Sequence, residues 1–165
     1  MRSDPDPAVR PLERRDLERL VELCAEHAAY EQAPYDKTGK SERLAGLTFG
    51  DGAPGDGARL WIWVVDEGDG AVGFVSFSFE TSTWEARRFL HMDCLYLRPE
   101  ARNRGLGRRL LNHGAELARR HGVEEIQWQT PTWNRGAIRF YGRLGAEAKE
   151  KLRFTWSRRA WNAGL

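Results

Sequence analysis

The chain has 165 residues, of which 41% are hydrophobic and 30% are charged, and its net charge is +2. This composition excludes a disordered chain, and the small net charge argues against general binding to nucleic acid. No apolar run approaches the ~20 residues that a membrane helix needs, and the two cysteines lack the spacing of a metal site. We therefore expect one globular domain over residues 1–165, in the reducing cytoplasm, with no nucleic-acid, membrane or metal partner.

The first part of the chain predicts two helices. Apolar residues recur at helical spacing over 16–30, and Asp16 is a suitable N-cap for that helix. A second, shorter helix is expected at 41–47. The stretch at 50–57, GDGAPGDG, has the composition of a loop and is too short to separate two domains.

Three strands follow in the middle of the chain. The segments 60–65 and 71–79 are rich in β-branched and aromatic residues, and turn residues join them, so they predict a hairpin. A third strand is expected at 89–97, where Pro99 ends it.

The remaining elements alternate between helices and strands. Helical spacing predicts a helix at 107–120, and alternation predicts a strand at 124–130. Asn134 is placed to cap a helix at 135–144, and a last strand is expected at 151–157. The pattern as a whole predicts an α/β fold in a single domain.

Residues 101–111, ARNRGLGRRLL, combine glycines and arginines where a helix begins. A strand that leads through a glycine turn into a helix points backbone N–H groups at one spot, and the helix dipole adds positive charge there. Guanidinium groups at Arg102, Arg104 and Arg108 suit phosphate oxygens. The segment therefore predicts an anion site, and the alternative is a tight turn on a basic surface.

Two other phosphate-binding motifs fail on inspection. A dinucleotide fingerprint needs glycine or alanine where Leu110 stands. The tetrapeptide TGKS at 38–41 ends like a Walker A loop, but Pro34 occupies the position of the first glycine of that motif.

The motif Arg-x-x-Gly-x-Gly at 102–107, after a strand that ends in Leu-Tyr-Leu-Arg-Pro, resembles the acetyl-CoA signature of the GNAT N-acetyltransferases. Residues 134–146, NRGAIRFYGRLGA, are similar to a second segment of that family, and the opening at 9–23 resembles its first strand and helix. Within the family, YEQAP at 30–34, Trp84 and an acid at 93 look most like the spermidine/spermine and thialysine acetyltransferases.

The resemblance implies a GNAT fold, in which a mixed, mostly antiparallel, twisted sheet is flanked by helices. It also implies a homodimer and an enzyme that transfers an acetyl group from acetyl-CoA, with CoA as product. The residues that it assigns to the cofactor are Leu95, Tyr96, Leu97, Arg102, Asn103, Arg104, Gly105, Leu106, Gly107, Arg108, Asn134 and Tyr141.

The reaction implied is direct attack of an amine on the thioester. It needs a base for the ammonium proton, a donor to the thioester oxygen and an acid for the leaving thiolate. Residues 91, 93 and 95 share one face of a regular strand, so Asp93 and His91 are rival bases, with bulk water as the remaining alternative. The resemblance gives the acid role to Tyr141 and the donor role to the N–H of Leu95. Cys94 is expected on the face opposite Asp93, as a small core residue.

The acceptor is expected to be the primary amine of a small cation: a polyamine, a basic amino acid or an amine antibiotic. The residues that the resemblance places at the acceptor are Tyr30, Glu31, Tyr35, Asp36, Trp84, Glu85 and Asp93. The alternatives are a protein or peptide N-terminus as acceptor, or a CoA-binding module without catalysis. The presence of a tyrosine at 141 and an acid at 93 favours an enzyme.

Overall fold

The computed structural model describes residues 7–50 and 60–164. The loop predicted at 50–57 therefore lies outside the described residues, apart from Gly50, which follows the second helix. The chain divides after Gln129 into two compact units.

The first unit is built on a five-stranded sheet, and the prediction of a mixed, mostly antiparallel sheet is confirmed. The strands lie in the order β1-β2-β3-β4-β5; the first four are antiparallel to their neighbours, and β5 is parallel to β4. Their bounds are Ala8–Pro11 for β1, Trp61–Asp66 for β2, Ala71–Ser82 for β3, Arg87–Leu97 for β4 and Ile126–Gln127 for β5.

The two edges of this sheet differ from the pattern-based prediction. The alternation of residue types predicts no strand before the first helix, whereas β1 pairs with β2 over four residues, as the family resemblance implies. The strand expected at 124–130 is reduced to Ile126–Gln127. An edge strand with so few partners makes few ladder hydrogen bonds, so its sequence pattern overestimates its length.

One face of the sheet is covered by helices α1, Leu17–Tyr30, and α2, Lys40–Phe49. Leu20 and Leu23 of α1 pack into one buried cluster with side chains from three strands, which are Ile62, Val64, Ala71, Phe74 and Tyr96. Asp16 precedes α1 as predicted, but its side chain makes no cap hydrogen bond. It accepts instead from Arg10 and from the Glu13 backbone N–H.

The other face is covered by α3, Leu106–Arg120. The core-facing residues of this helix are Leu106, Leu110, Gly114, Leu117 and Ala118. Gly114 lies directly against the Phe77 ring, because a Cβ at this position would overlap it. The helix therefore approaches β3 closely and fixes the position of its own N-terminus, which follows the glycine-arginine turn.

The second unit contains α4, Arg135–Arg143, and α5, Arg158–Ala163. Asn134 caps α4 as predicted, because its Oδ1 accepts from the Ala137 N–H at 3.2 Å. The strand predicted at 151–157 is wrong: these residues form neither helix nor strand. Their apolar residues alternate as in a strand, but no strand of the described chain pairs with them, and Leu152, Phe154 and Trp156 are 83%, 87% and 69% exposed.

Candidate active site

A β-bulge at Asp93 shapes the centre of β4. Ser76 of β3 lies opposite Cys94, whereas the next residue, Phe77, lies opposite Met92. Asp93 is therefore the extra residue of the bulge, and it is exposed. The prediction that 91, 93 and 95 share one face is wrong, because an extra residue interrupts the period of two.

The bulge changes which side chains accompany His91. His91 lies opposite Ser78, and Cys94 lies opposite Ser76, so His91 and Cys94 are on the same face of the sheet although they are three residues apart. Leu95, opposite Val75, turns to the other face. His91 is half-buried at this position.

The expectation that Cys94 lies opposite Asp93 is also wrong. The Cys94 thiol is 3.5 Å from Oδ2 of Asp93, and the residue packs against the cluster beneath α1. Burial, followed by the charge of Asp93, raises the pKa of Cys94 far above its ordinary value. The thiol is therefore protonated at neutral pH and is a poor nucleophile.

The bulge also marks the point where β4 and β5 separate. In the described chain, β5 pairs only with Leu90 and His91. The Arg98 N–H donates to the Val72 carbonyl of β3 at 2.9 Å, so alternation directs the backbone groups of Leu95 and Leu97 to the opposite edge. A ligand with amide groups can pair with this edge as an added strand would.

The glycine-arginine turn leads into the N-terminus of α3. Gly105 adopts φ +74 as the N-cap, and Asn103 also has a positive φ of 59. Among the described residues, nothing lies within 4 Å of a Cβ built at Gly105, so this part of the structure leaves the space above the turn open. The N–H groups of the first turn, Leu106 to Arg108, have no acceptor within the helix and suit a phosphate. This cradle fits the phosphates of a CoA-type ligand.

Two of the three arginines expected at the anion site have partners within the chain. Arg104 pairs with Glu67 at 2.6 Å. The Nε of Arg102 donates to the Leu97 carbonyl at 2.9 Å, and its guanidinium lies 5.1 Å from the Tyr30 ring centre. Arg108 is exposed. The turn is thus tied to the end of β4, and the backbone N–H groups are the anion donors that the fold itself positions.

Tyr96, expected among the cofactor residues, contributes its ring to the core. The ring is 7% exposed and stacks on His27 at 5.2 Å between ring centres. Its hydroxyl donates to Glu26 at 3.4 Å, and Glu26 also accepts from Arg98. These contacts hold the last turns of α1 against β4.

Several acceptor residues do come together beside the bulge. His27 Nε2 lies 3.4 Å from Oε1 of Glu31, and the charges of Glu31 and Asp93 both act on His27 and on Cys94. Tyr35 is hydrogen-bonded to Cys24, and burial raises the pKa of this phenol. Lys40 Nζ lies 3.3 Å from the centre of the Tyr35 ring.

Trp84 and Glu85, also predicted at the acceptor, lie apart from this group. Trp84, which is 93% exposed, and Glu85 occupy the turn before β4. The strand rise places Asp93, near the centre of β4, about 20 Å along the strand from Arg87. Asp36 is exposed and accepts from the Thr38 N–H at 2.9 Å. Within this chain, Trp84 and Glu85 therefore do not share a site with Asp93.

The remaining site residues belong to the second unit. Tyr141 lies in α4, half-buried, with its ring 5.3 Å from that of Phe140. Asn134 uses its side chain as the helix cap described above.

Sequence reasoning missed His27 and Cys24, although both contact residues that it identified. The signal for His27 was the spacing to Glu31, because residues four apart on a helix lie on one face. Cys24 lies on the same face of α1, one turn before His27. Neither position is informative until the chain is known to place α1 over the bulge of β4.

Comparison with known proteins shows the family to which the chain belongs. The model of the acetyltransferase (GNAT) family matches residues 16–146. A thialysine N-epsilon-acetyltransferase of Caenorhabditis elegans is 31% identical over 124 residues, which cover 75% of this chain and 72% of that one. A streptothricin acetyltransferase of Streptomyces lavendulae is 35% identical over 97 residues, 58% of this chain and 49% of that one.

The fold is also shared with solved structures. The crystal structure of a transcriptional regulator from Bacillus halodurans superimposes with a TM-score of 0.75 at 23% identity, covering 91% of this chain and 99% of that one. The chain belongs to the acetyltransferase (GNAT) family. It is an acyltransferase of a family whose acetyl donor is acetyl-CoA. Within residues 7–50 and 60–164, no helix has the length and apolar character to span a membrane.

Proposed function

We propose that the protein transfers the acetyl group of acetyl-CoA to the primary amine of a small cationic acceptor. The observation that carries this proposal is the pair of carboxylates at Glu31 and Asp93. Both act electrostatically on His27 and on Cys94, beside the open edge of β4. Two negative charges at one site favour a cationic acceptor.

The donor is held by main-chain groups in this proposal. The first-turn N–H groups of α3 bind its phosphates, and Leu95 and Leu97 pair with its amide groups. The N–H of Leu95 then donates to the thioester oxygen, where negative charge develops in the transition state. Asn134, which the family resemblance assigns to the cofactor, caps α4 with its side chain.

The proton inventory assigns roles to three side chains. An alkylamine has a pKa near 10, so it arrives protonated and must lose a proton before its nitrogen attacks the acetyl carbon. Asp93, acting through a water molecule, and His91 are the two bases that the sequence identifies for that proton. As the C–N bond forms and the C–S bond breaks, Tyr141 donates a proton to the departing thiolate.

The relatives support the acceptor class. Thialysine and streptothricin, the compounds named for two relatives, both carry amines. A polyamine, a basic amino acid or an amine antibiotic is therefore the acceptor that we propose for this chain. Because the family model runs from 16 to 146 and so includes parts of both units, we also propose that the two units act as one N-acetyltransferase domain.

The test is the initial rate of thiol release from acetyl-CoA with purified protein and a panel of spermidine, lysine, thialysine, an aminoglycoside and a short peptide. We expect one or more small amines to raise the rate above the amine-free blank. Tyr141→Phe should lower that rate by about a hundredfold or more while acetyl-CoA still binds. Activity confined to the peptide would point to a protein acceptor. Binding of acetyl-CoA with no accelerated release by any amine would contradict an enzyme of this class.

We further propose that the protein is a cytoplasmic homodimer in which residues 152–156 pair across the two copies. Three side chains of this segment alternate as in a strand and are exposed in the isolated chain: Leu152, Phe154 and Trp156. A partner strand would bury them. Light scattering should give twice the monomer mass. The double variant Phe154→Ser and Trp156→Ser should give the monomer mass, while Trp84→Ser, at another exposed tryptophan, should not.

A further inference from the structure

His27 lies at the centre of the charged group beside the bulge. Its side chain is 18% exposed, its ring stacks on Tyr96, and its Nε2 is 3.4 Å from Oε1 of Glu31. The stacking fixes the plane of the imidazole, and Glu31, the residue that follows α1, fixes its rotation. This histidine is therefore held in one orientation, unlike a surface side chain.

Charged groups face His27 from each element packed around it. Glu31 lies on its own helix, Asp93 on β4, and Arg102 in the turn before α3. Glu26, the neighbouring residue, is occupied by Arg98 and the Tyr96 hydroxyl. Burial is the largest influence and lowers the pKa of His27, the two carboxylates raise it, and Arg102 lowers it. The imidazole is consequently neutral at neutral pH, and two carboxylates stand ready to stabilise its charged form.

A neutral imidazole is a better proton acceptor for an amine than a carboxylate is. The ordinary pKa of an aspartate is about 3.9 and that of histidine about 6.5, whereas that of an alkylammonium is about 10. Transfer of the proton to an imidazole is therefore less unfavourable than transfer to a carboxylate. An exposed carboxylate at Asp93 is better suited to hold the ammonium group by charge.

We propose that His27 is the group that receives the acceptor's proton, with Asp93 binding the ammonium and Glu31 stabilising the imidazolium. This inference rests on the proposed N-acetyltransferase function. An N–H bond of the ammonium breaks and leaves its electron pair on the amine nitrogen, which can then attack. A new N–H bond forms on the imidazole, and the proton passes to solvent before the next turnover.

The test compares the pH dependence of kcat/KM for thiol release in wild type, His27→Asn, His27→Gln and the control His113→Asn. His113 also stacks on an aromatic ring, that of Trp63, but on α3. In wild type and His113→Asn, kcat/KM should rise with pH and level off once the essential base is neutral. In both His27 variants it should fall about a hundredfold at pH 7 and keep rising to alkaline pH, because the amine must then deprotonate in water.

Each rival role for these histidines gives a different profile. A wild-type pH profile that is retained in both His27 variants, only scaled down or unchanged, would show that His27 is structural and overturn this inference while the proposed function stands. Loss of the acid limb in His91→Asn but not in His27→Asn would assign the proton to His91. Absence of amine-dependent thiol release in wild type would overturn the proposed function itself, and the role of His27 with it.

Discussion

The thiol of Cys94 lies 3.5 Å from the carboxylate of Asp93, on a strand where neighbouring residues ordinarily point to opposite faces. The bulge brings the two side chains together, and the buried thiol consequently has a strongly raised pKa. This places a protonated cysteine and a charged carboxylate at the same edge of the candidate acceptor site.

Cys94 should not carry the acetyl group. Because its thiol is protonated at neutral pH, Cys94→Ala should turn over amines at a rate close to that of wild type. Intact-mass spectrometry of wild type mixed with acetyl-CoA alone should show unmodified protein. An acetylated species that disappears in Cys94→Ala would instead demonstrate a covalent intermediate.

Gly105→Ala should weaken acetyl-CoA binding. A Cβ at φ +74 strains the backbone by about 1–2 kcal/mol, and this turn orients the N–H groups that we propose to bind phosphate. We expect at least a tenfold rise in the Kd for CoA, or about 1.4 kcal/mol, in calorimetric titration. Gly122→Ala is the matched control, since Gly122 has φ +65 and open space but follows the other end of α3. It should lose similar stability and no affinity; equal affinity loss in both variants would refute the cradle.

Gly114→Ala should destabilise the fold although alanine is the better helix former. Its Cβ would overlap the Phe77 ring, and overpacking of this kind typically costs about 1–3 kcal/mol. In contrast, no atom of residues 7–50 and 60–164 lies within 4 Å of a Cβ at Gly142 in α4, so Gly142→Ala should gain about 1 kcal/mol from helix propensity. Urea unfolding measures both, and a stabilised Gly114→Ala would mean that α3 can move off β3.

Arg10 should make stability depend on acid pH. It donates to Asp16 and Asp66, and these hydrogen bonds lower the pKa of each carboxyl. Because the pKa of each carboxyl is lower in the folded chain than in the unfolded chain, the unfolded chain takes up protons at a higher pH. The stabilisation by Arg10 is therefore present at neutral pH and is lost as the pH falls below about 4. Arg10→Gln should cost about 3 kcal/mol at pH 7 and flatten that acid dependence.

Urea unfolding from pH 3 to pH 7 checks the role of Arg10. Arg15→Gln is the control, because Arg15 is 69% exposed and its ion pair with Glu13 should contribute less than about 1 kcal/mol. An Arg10→Gln protein with the same pH dependence as wild type would show that other carboxylates dominate acid unfolding.

Much of the fold was predictable because its central elements are long and strongly patterned. The hairpin of β2 and β3, strand β4 and helix α3 carry clear periodicity, and all were predicted within a few residues. The failures lie where a pattern needs a partner. Residues 151–157 alternate like a strand, yet no strand of the described chain pairs with them, and β5 is far shorter than its pattern.

The sequence identified candidate residues for the site but not their arrangement. The motif at 102–107 located the turn before α3, because its glycines mark a tight turn. The arginines on both sides are not needed for a turn and therefore indicated a binding site. The bulge at Asp93 was not predictable, because nothing in FLHMDCLYL distinguishes a regular strand from one with an extra residue. That single residue reverses the faces of Cys94 and Leu95. Because the bulge was not predictable, the approach of His27 to the same edge was not predictable either.

The central claim is that this chain joins an acetyl group to a small amine. Mass spectrometry of the amine after incubation with acetyl-CoA and wild-type protein tests it most directly. We predict one acetylated amine for each thiol released, and no product with Tyr141→Phe over the same interval. Thiol release without acetylated amine, or acetylated amine at the same rate in Tyr141→Phe, would contradict this mechanism.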